Sequence, residues 1–351
     1  MNIDGRPIGP GHPAYLVAEM SGNHGGQLST AKAIIRAAQA AGADAIKLQT
    51  YRADTITLDV DSADFRISKD DPWCAKKTLF HLYEEAFTPW EWHAELFSEA
   101  RRCGLTIFSS PFDSSAVDFL EDLGCPAYKI ASPEITDIPL LMKVAQTGKP
   151  VIVSTGLAER SDIELAVSTL RSSGCDELAL LKCTASYPAP PESMNLATIQ
   201  DLAQQFDVIA GLSDHTLSIE VPIASVAMGA RIIEKHLMLP GTDSVDSFFS
   251  LDTNQFCELV RAVRIVEKSI GSVCYSVPGD PNTKFKARRS LYVAKPISKG
   301  EILTPENIRS VRPSYGLHPK YYFQILGKPV IRDLQPGHRL TLADIDGGPR
   351  E

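Results

Sequence analysis

Lys47 stands in AIKLQTY and Lys129 in AYKIAS, two β-rich runs that are otherwise largely apolar. An unpaired ammonium in such a run is costly to bury. Lysines converging with serine hydroxyls would form a pocket for a phosphate or a carboxylate. His215 closes GLSDH and His236 closes RIIEKH. If those runs are neighbouring strands, the two imidazoles could share one divalent ion, with positions left open for water or substrate. Glu19, in YLVAEMS, could act as general base or acid. Each has a plainer alternative: a lysine snorkelling from a strand end, hydrogen-bonded histidines, a carboxylate whose position alone says little. His12, His81, His93 and His338 read as surface or loop residues. Cys183 reads as an inert thiol with no paired histidine. Trp73, Trp90 and Trp92 read as packing anchors, with stacking on a sugar as the alternative.

These residues need a scaffold that brings distant segments together. Eight β-rich runs recur at 15–21, 45–51, 106–112, 127–132, 151–156, 178–184, 208–214 and 231–237. Most are apolar over their first half, as strands buried on both faces should be. Amphipathic segments separate them. STAKAIIRAAQAAGA places Ala33, Ile34, Ala37, Ala38 and Ala41 on one face and ends at Gly42. Ser161 with Glu164 has capping-box spacing. Eight alternations in about 270 residues predict an α/β fold of the (β/α)8 barrel type, in which catalytic groups come from the C-terminal ends of strands. NHGG lacks the GxGxxG spacing of a doubly wound nucleotide fold.

The segment 52–87 is a long insertion after the second strand and would hang over the barrel mouth. GSVCYSVPGDPNTKFK, with its glycine and prolines, reads as a linker. The chain therefore divides into a barrel at 1–272, a linker at 273–286 and a small β-rich domain at 287–351. That domain holds a pseudo-repeat: ISKGEILTPENI (297–308) matches LQPGHRLTLADI (334–345) in character. It is too small to promise a large core of its own.

Composition narrows the function classes. A net charge of −8 argues against a nucleic-acid or membrane-surface binder, while a local cationic pocket could still take an anionic substrate. No apolar run reaches the roughly 18 to 20 residues of a membrane span. The N-terminus lacks a basic start followed by an apolar block, so no secretory signal is expected. Seven scattered cysteines without a CxxC pair point to reduced thiols and a cytoplasmic enzyme.

The motifs AEMSGNHGG (18–26), IKLQTY (46–51), SSPFD (109–113), YKIAS (128–132), STG (154–156), CTASYPAP (183–190), GLSDH (211–215) and EKH (234–236) closely resemble the sialic acid synthase family. SLYVAKPISKGEILTPENIRSVRP (290–313) looks like that family's C-terminal antifreeze-like, or SAF, domain of β-clip type. The resemblance implies a TIM barrel with a SAF domain, and a metal-assisted condensation of phosphoenolpyruvate with an acetamido sugar. Water is consumed, and phosphate leaves with C–O cleavage. It implies that His215 and His236 hold a divalent ion, Mn2+ or Mg2+. Lys47, Ser110, Lys129, Ser132 and Ser154 would form the phosphoenolpyruvate pocket, and Glu19 would handle proton transfer. Gln49, Tyr187 and Asp246 match sugar-contacting positions. Arg312 matches an arginine that reaches the barrel mouth of a partner subunit, which implies a domain-swapped homodimer.

Within that family an asparagine usually stands two residues before the tyrosine of CTxxYP in enzymes acting on N-acetylmannosamine; here it is Ala185. VDSFFSLD (245–252) and GLHPKYY (316–322) look instead like the pseudaminic acid branch, whose acceptor is 2,4-diacetamido-2,4,6-trideoxy-L-altrose. Ala185, Phe248 and Phe249 would suit that more apolar sugar. The N-acetylneuraminic and legionaminic acid branches are alternatives with the same chemistry. A barrel aldolase forming a Schiff base on Lys129 or Lys47 is an alternative from another class. A non-enzymatic scaffold carrying an ice- or glycan-binding domain is disfavoured by the crowded strand ends.

Overall fold

A computed structural model of the chain describes residues 1–275 and 281–348. Eight parallel strands close into a barrel: β3 (Tyr15–Glu19), β4 (Ala45–Thr50), β5 (Thr106–Pro111), β6 (Tyr128–Ile130), β7 (Val151–Ser154), β8 (Leu178–Lys182), β9 (Ile209–Asp214) and β10 (Ile232–His236). They are hydrogen-bonded in chain order, and β10 returns to β3. Each run read from the sequence contains one of them. A helix follows each strand: Leu28–Ala40, Trp90–Arg102, Ser114–Asp122, Ile138–Ala145, Arg160–Ser172, Thr198–Phe206, Glu220–Ala227 and Thr253–Ile270. None of the described helices is long and apolar enough to cross a membrane.

The helices form where an apolar stripe meets a cap. Leu28–Ala40 buries Ala31, Ile34, Ile35 and Ala38, an i, i+3, i+4, i+7 stripe rotated from the expected one because Ala33 and Ala37 are only half-buried. Asp113 caps Ser114–Asp122 by accepting from the Ser115 and Ala116 amides. The capping box expected at Ser161 falls elsewhere: Glu159 is the N-cap and Asp162 completes the box, so the helix starts two residues earlier.

An N-terminal hairpin, β1 (Asn2–Ile3) with β2 (Arg6–Pro7), was not expected. Its turn residues Asp4 and Gly5 both have positive φ (52° and 80°), the geometry that Asp-Gly favours, so a signal was present. The hairpin buries Ile3 and Ile8 in the barrel core and donates the Asn2 amide to Glu177, at the entry to β8.

Contacts divide the chain at Gly271/Ser272. Residues 276–280 of the expected linker lie outside the described residues. Its last part is not an irregular linker, since Pro281–Ala287 is helical. The second unit has its own core of Leu291, Val293, Ile297, Leu303, Ile308, Ile325, Val330, Leu334, Leu340 and Ile345. Strands β11 (Ser290–Val293) and β12 (Ile308–Val311) pair antiparallel.

The pseudo-repeat becomes a structural near-dyad in which residue i matches residue i + 37. Ile297 and Leu334 exchange both backbone hydrogen bonds. Val293 donates to His338 as Val330 donates to Glu301, and Gly300 donates to Val330 as Gly337 donates to Val293. Both glycines sit at left-handed φ (85° and 87°), which explains their recurrence.

Candidate active site

Strand register lines up the polar ends. Glu19 pairs with Lys47 on one side and His236 on the other, so three adjacent strands deliver these groups at one level. Lys47 and Lys129 are only 3 % and 2 % exposed, which removes the snorkelling alternative. Lys47 Nζ lies 2.5 Å from Glu19 Oε2 and 3.7 Å from Glu234 Oε1, and donates to Ser110 Oγ at 3.2 Å. Lys129 Nζ donates to Ser154 Oγ at 2.6 Å and lies 3.6 Å from Glu234 Oε1. Glu234 thus bridges the two ammoniums and also accepts from Ser213 Oγ at 3.2 Å. Two cations and two anions make a buried, charge-balanced cluster.

Environment separates the two carboxylates. Burial pushes Glu19 up to about 7, against the opposing pull of Lys47. Burial also acts on Glu234, but Lys129 and Lys47 outweigh it and hold that carboxyl below its ordinary value. Burial lowers Lys129; for Lys47 the two carboxylates overcome burial and raise it.

The side-chain period of two separates Lys235 from its neighbour His236: Glu234 shares the His236 face, and Lys235 points away from it. Lys235 Nζ pairs with Asp214 Oδ2 at 2.5 Å and donates to the Thr216 carbonyl. Asp214 also accepts from the Thr216 amide and hydroxyl, each at 3.0 Å. This lock joins the exits of β9 and β10, which carry the two histidines.

The His215 and His236 rings stand 5.3 Å apart, inclined at 65°. His215 Nδ1 lies 3.0 Å from the Thr184 carbonyl. Cys183 Sγ is 4.0 Å from the same nitrogen, so the thiol does have a histidine neighbour, contrary to expectation. His236 Nδ1 is buried with no hydrogen-bond partner. Ser132 Oγ accepts from the Gly156 amide at 2.9 Å. A Cβ at Gly156 would stand 2.9 Å from that oxygen and 3.0 Å from Cys183 Sγ, so only glycine lets the loops after β6, β7 and β8 meet.

Beyond the histidines the mouth turns aromatic. Tyr187 lies 4.4 Å from His215, and Phe249 lies 4.7 Å from His236 and 5.0 Å from Tyr187, between ring centroids. Asp246 is buried and accepts from Ser21 Oγ and the Gly22 amide. Burial raises its carboxyl above the ordinary value. Gln49 Nε2 donates to Glu19 Oε1 at 3.0 Å. Arg312 lies on the second unit, exposed.

Two further groups stand at the mouth, Glu134 and a tryptophan that the sequence left between packing and sugar stacking. Glu134, just past β6, has a buried Oε2 without a partner, and burial pushes its carboxyl up to about 7. Trp73, from the insertion, packs on the aromatic half. Trp90 and Trp92 pack as expected, Trp90 stacking on Phe119 and Trp92 standing against His24. His93 is not a surface residue: it is buried against Thr50 Oγ1 at 2.9 Å and held down to about 4 by burial.

The architecture is that of a (β/α)8 enzyme whose mouth sets buried lysines beside a histidine pair. The chain belongs to the NeuB family, which matches residues 34–275, and a SAF domain matches residues 288–346. It is 44 % identical over 331 residues to a pseudaminic acid synthase of Campylobacter jejuni, covering 94 % of this chain and 96 % of that one. It is 42 % identical over 344 residues to a pseudaminic acid synthase of Helicobacter pylori, covering 95 % and 98 %. Among solved structures, the N-acetylneuraminic acid (sialic acid) synthetase of Leptospira borgpetersenii in complex with citrate matches with TM-score 0.70 and 30 % identity. That match covers 81 % of this chain and 93 % of the other.

Proposed function

We propose that this chain condenses phosphoenolpyruvate with 2,4-diacetamido-2,4,6-trideoxy-L-altrose and water to give pseudaminic acid and phosphate. The observation that carries this reading is one mouth with two unlike halves meeting at His215, buried lysines and serines on one side and aromatic rings on the other. A small polyanion and a larger, partly apolar sugar call for such a division. The likeness to the Campylobacter and Helicobacter proteins over nearly the whole chain supports the altrose acceptor.

Lys47 with Ser110, and Lys129 with Ser132 and Ser154, would take the carboxylate and phosphate oxygens, exchanging Glu19 and Glu234 for the ligand. The methylene carbon of phosphoenolpyruvate would form the C–C bond to the sugar aldehyde. Water adds at the former enol carbon, and the C–O bond to phosphate breaks. Glu19, poised near 7 and opposite His236 in register, can hold or release the proton of the aldehyde oxygen or of the attacking water. Gln49, Tyr187 and Asp246 would orient the sugar.

The histidine pair fits Mn2+ or Mg2+. His236 Nδ1 is buried and unpartnered, and His215 Nδ1 is anchored on a carbonyl, which leaves its other nitrogen to donate a lone pair. Among the described residues no set of three His, Cys, Asp or Glu could hold an ion, so the pair would hold it with substrate and water filling the remaining positions. When bound, the ion would supply polarisation of the aldehyde oxygen. Arg312, exposed and unpaired among the described residues, would complete the sugar half from a second copy of the chain in a domain-swapped homodimer. The scattered cysteines, with no CxxC pair, suit a cytoplasmic enzyme.

The test is phosphate release from phosphoenolpyruvate with Mn2+, comparing the trideoxy-altrose sugar, the legionaminic precursor and N-acetylmannosamine. Release with the altrose sugar alone is expected. Release with either other sugar in its place would keep the chemistry and move the acceptor. Silence with all three would return the aldolase, which borohydride trapping of Lys129 or Lys47 would detect.

A further inference from the structure

Trp73 belongs to the insertion after β4, yet its ring stands in the aromatic half of the mouth. It lies edge-on to Tyr187, Phe248 and Phe249, with centroids 5.4, 5.6 and 6.4 Å away. Its single hydrogen-bond donor is already committed, since Nε1 donates to the Val245 carbonyl at 2.8 Å. The two phenylalanine rings carry no polar atom. Trp73 and Phe248, backed by the buried Phe249, therefore present a surface that cannot satisfy a hydroxyl or an amide. Phe248 remains 41 % exposed and Trp73 is half-buried, so the surface is not consumed by packing.

We infer that Trp73, together with Phe248, is a specificity-determining wall that accepts a methyl group at C6 of the acceptor sugar and rejects a hydroxymethyl group there. The inference rests on the acceptor proposed above and assigns the insertion a part in choosing it. The acetamido groups of that sugar each carry an N–H and a C=O that need partners, which Gln49, Tyr187 and Asp246 can supply and this wall cannot. The 6-methyl group needs none. A 6-hydroxyl placed there would shed water without gaining a partner. An apolar wall rejects an added hydroxyl only moderately, so the expected preference is about ten- to a hundredfold in kcat/KM.

Steady-state kinetics on the full-length protein with Mn2+ and saturating phosphoenolpyruvate would compare the trideoxy-altrose sugar with the same sugar bearing a 6-hydroxyl. Trp73→Gln places an amide in the wall and should bring the preference to within about threefold, leaving the phosphoenolpyruvate KM unchanged. Trp73→Phe should keep the preference. A Trp73 that only packs the insertion would, as Gln, depress both sugars equally; an unchanged ratio overturns the inference. If Trp73→Gln fails to fold by thermal melting, Phe248→Gln, on a different loop, decides by the same ratio. Wild-type protein that uses both altrose sugars equally overturns the wall and leaves the proposed reaction standing. Wild-type protein that uses neither, or only N-acetylmannosamine, overturns the acceptor assignment and the wall with it.

Discussion

Burial sets the chemistry of individual side chains at the mouth. Glu19 and Glu234 are the same residue type, a few ångströms from the same lysine, yet one is poised near neutrality and the other is held ionised. Glu19→Gln should lower kcat by about 10²–10⁴, the usual worth of a positioned acid–base group. A titration of kcat/KM near pH 7 in the wild-type protein should be absent in the variant. Retention of both full rate and pH profile would show that Glu19 only balances charge. His236→Ala should abolish phosphate release and weaken Mn2+ binding followed by electron paramagnetic resonance. Full turnover with unchanged metal affinity would remove the metal from this pair.

At the scale of elements, the strand exits must be held in register for those side chains to converge. The Lys235–Asp214 pair does this for β9 and β10 from the face opposite the substrates. Lys235→Met leaves a buried carboxylate without its cation, and removing one partner of such a pair costs about 3–5 kcal/mol. Urea denaturation should show that loss, and adding Asp214→Asn should recover part of it. A stability within error of wild type would mean that the Thr216 contacts alone secure Asp214.

At the scale of the whole molecule, two units with separate cores must both be folded for the proposed site to be complete. The second unit depends on Asp344, fully buried and bonded to Arg332, His338 and Thr341. Burial alone would raise its carboxyl, but these hydrogen bonds outweigh it and hold it at about 2. A carboxyl held below its unfolded value near 4 stabilises fully above that pH and loses its contribution as pH falls toward 2. Acid unfolding of this unit should begin in that window. Asp344→Asn should be less stable at neutral pH and lose that pH dependence; an unchanged acid transition would assign it to other carboxylates. If Arg312 serves a neighbouring barrel, Arg312→Ala and His236→Ala chains, each inactive, should recover about a quarter of wild-type activity when refolded as a mixture, because half of the sites in a mixed dimer are intact. No recovery would place Arg312 outside the neighbour's site.

Local periodicity determined much of this protein from sequence alone. Alternating β runs and capped amphipathic segments specify eight strands and the level at which Glu19, Lys47, Lys129, His215 and His236 emerge, because strand and helix periods are properties of adjacent residues. The 37-residue repeat already announced the near-dyad of the second unit. Tertiary structure alone decided which distant side chains meet. Glu234 sits between Lys47 and Lys129, Cys183 beside His215, and Trp73 against Phe248. Barrel closure and loop packing bring these partners together across long stretches of chain, and no short-range pattern encodes that convergence.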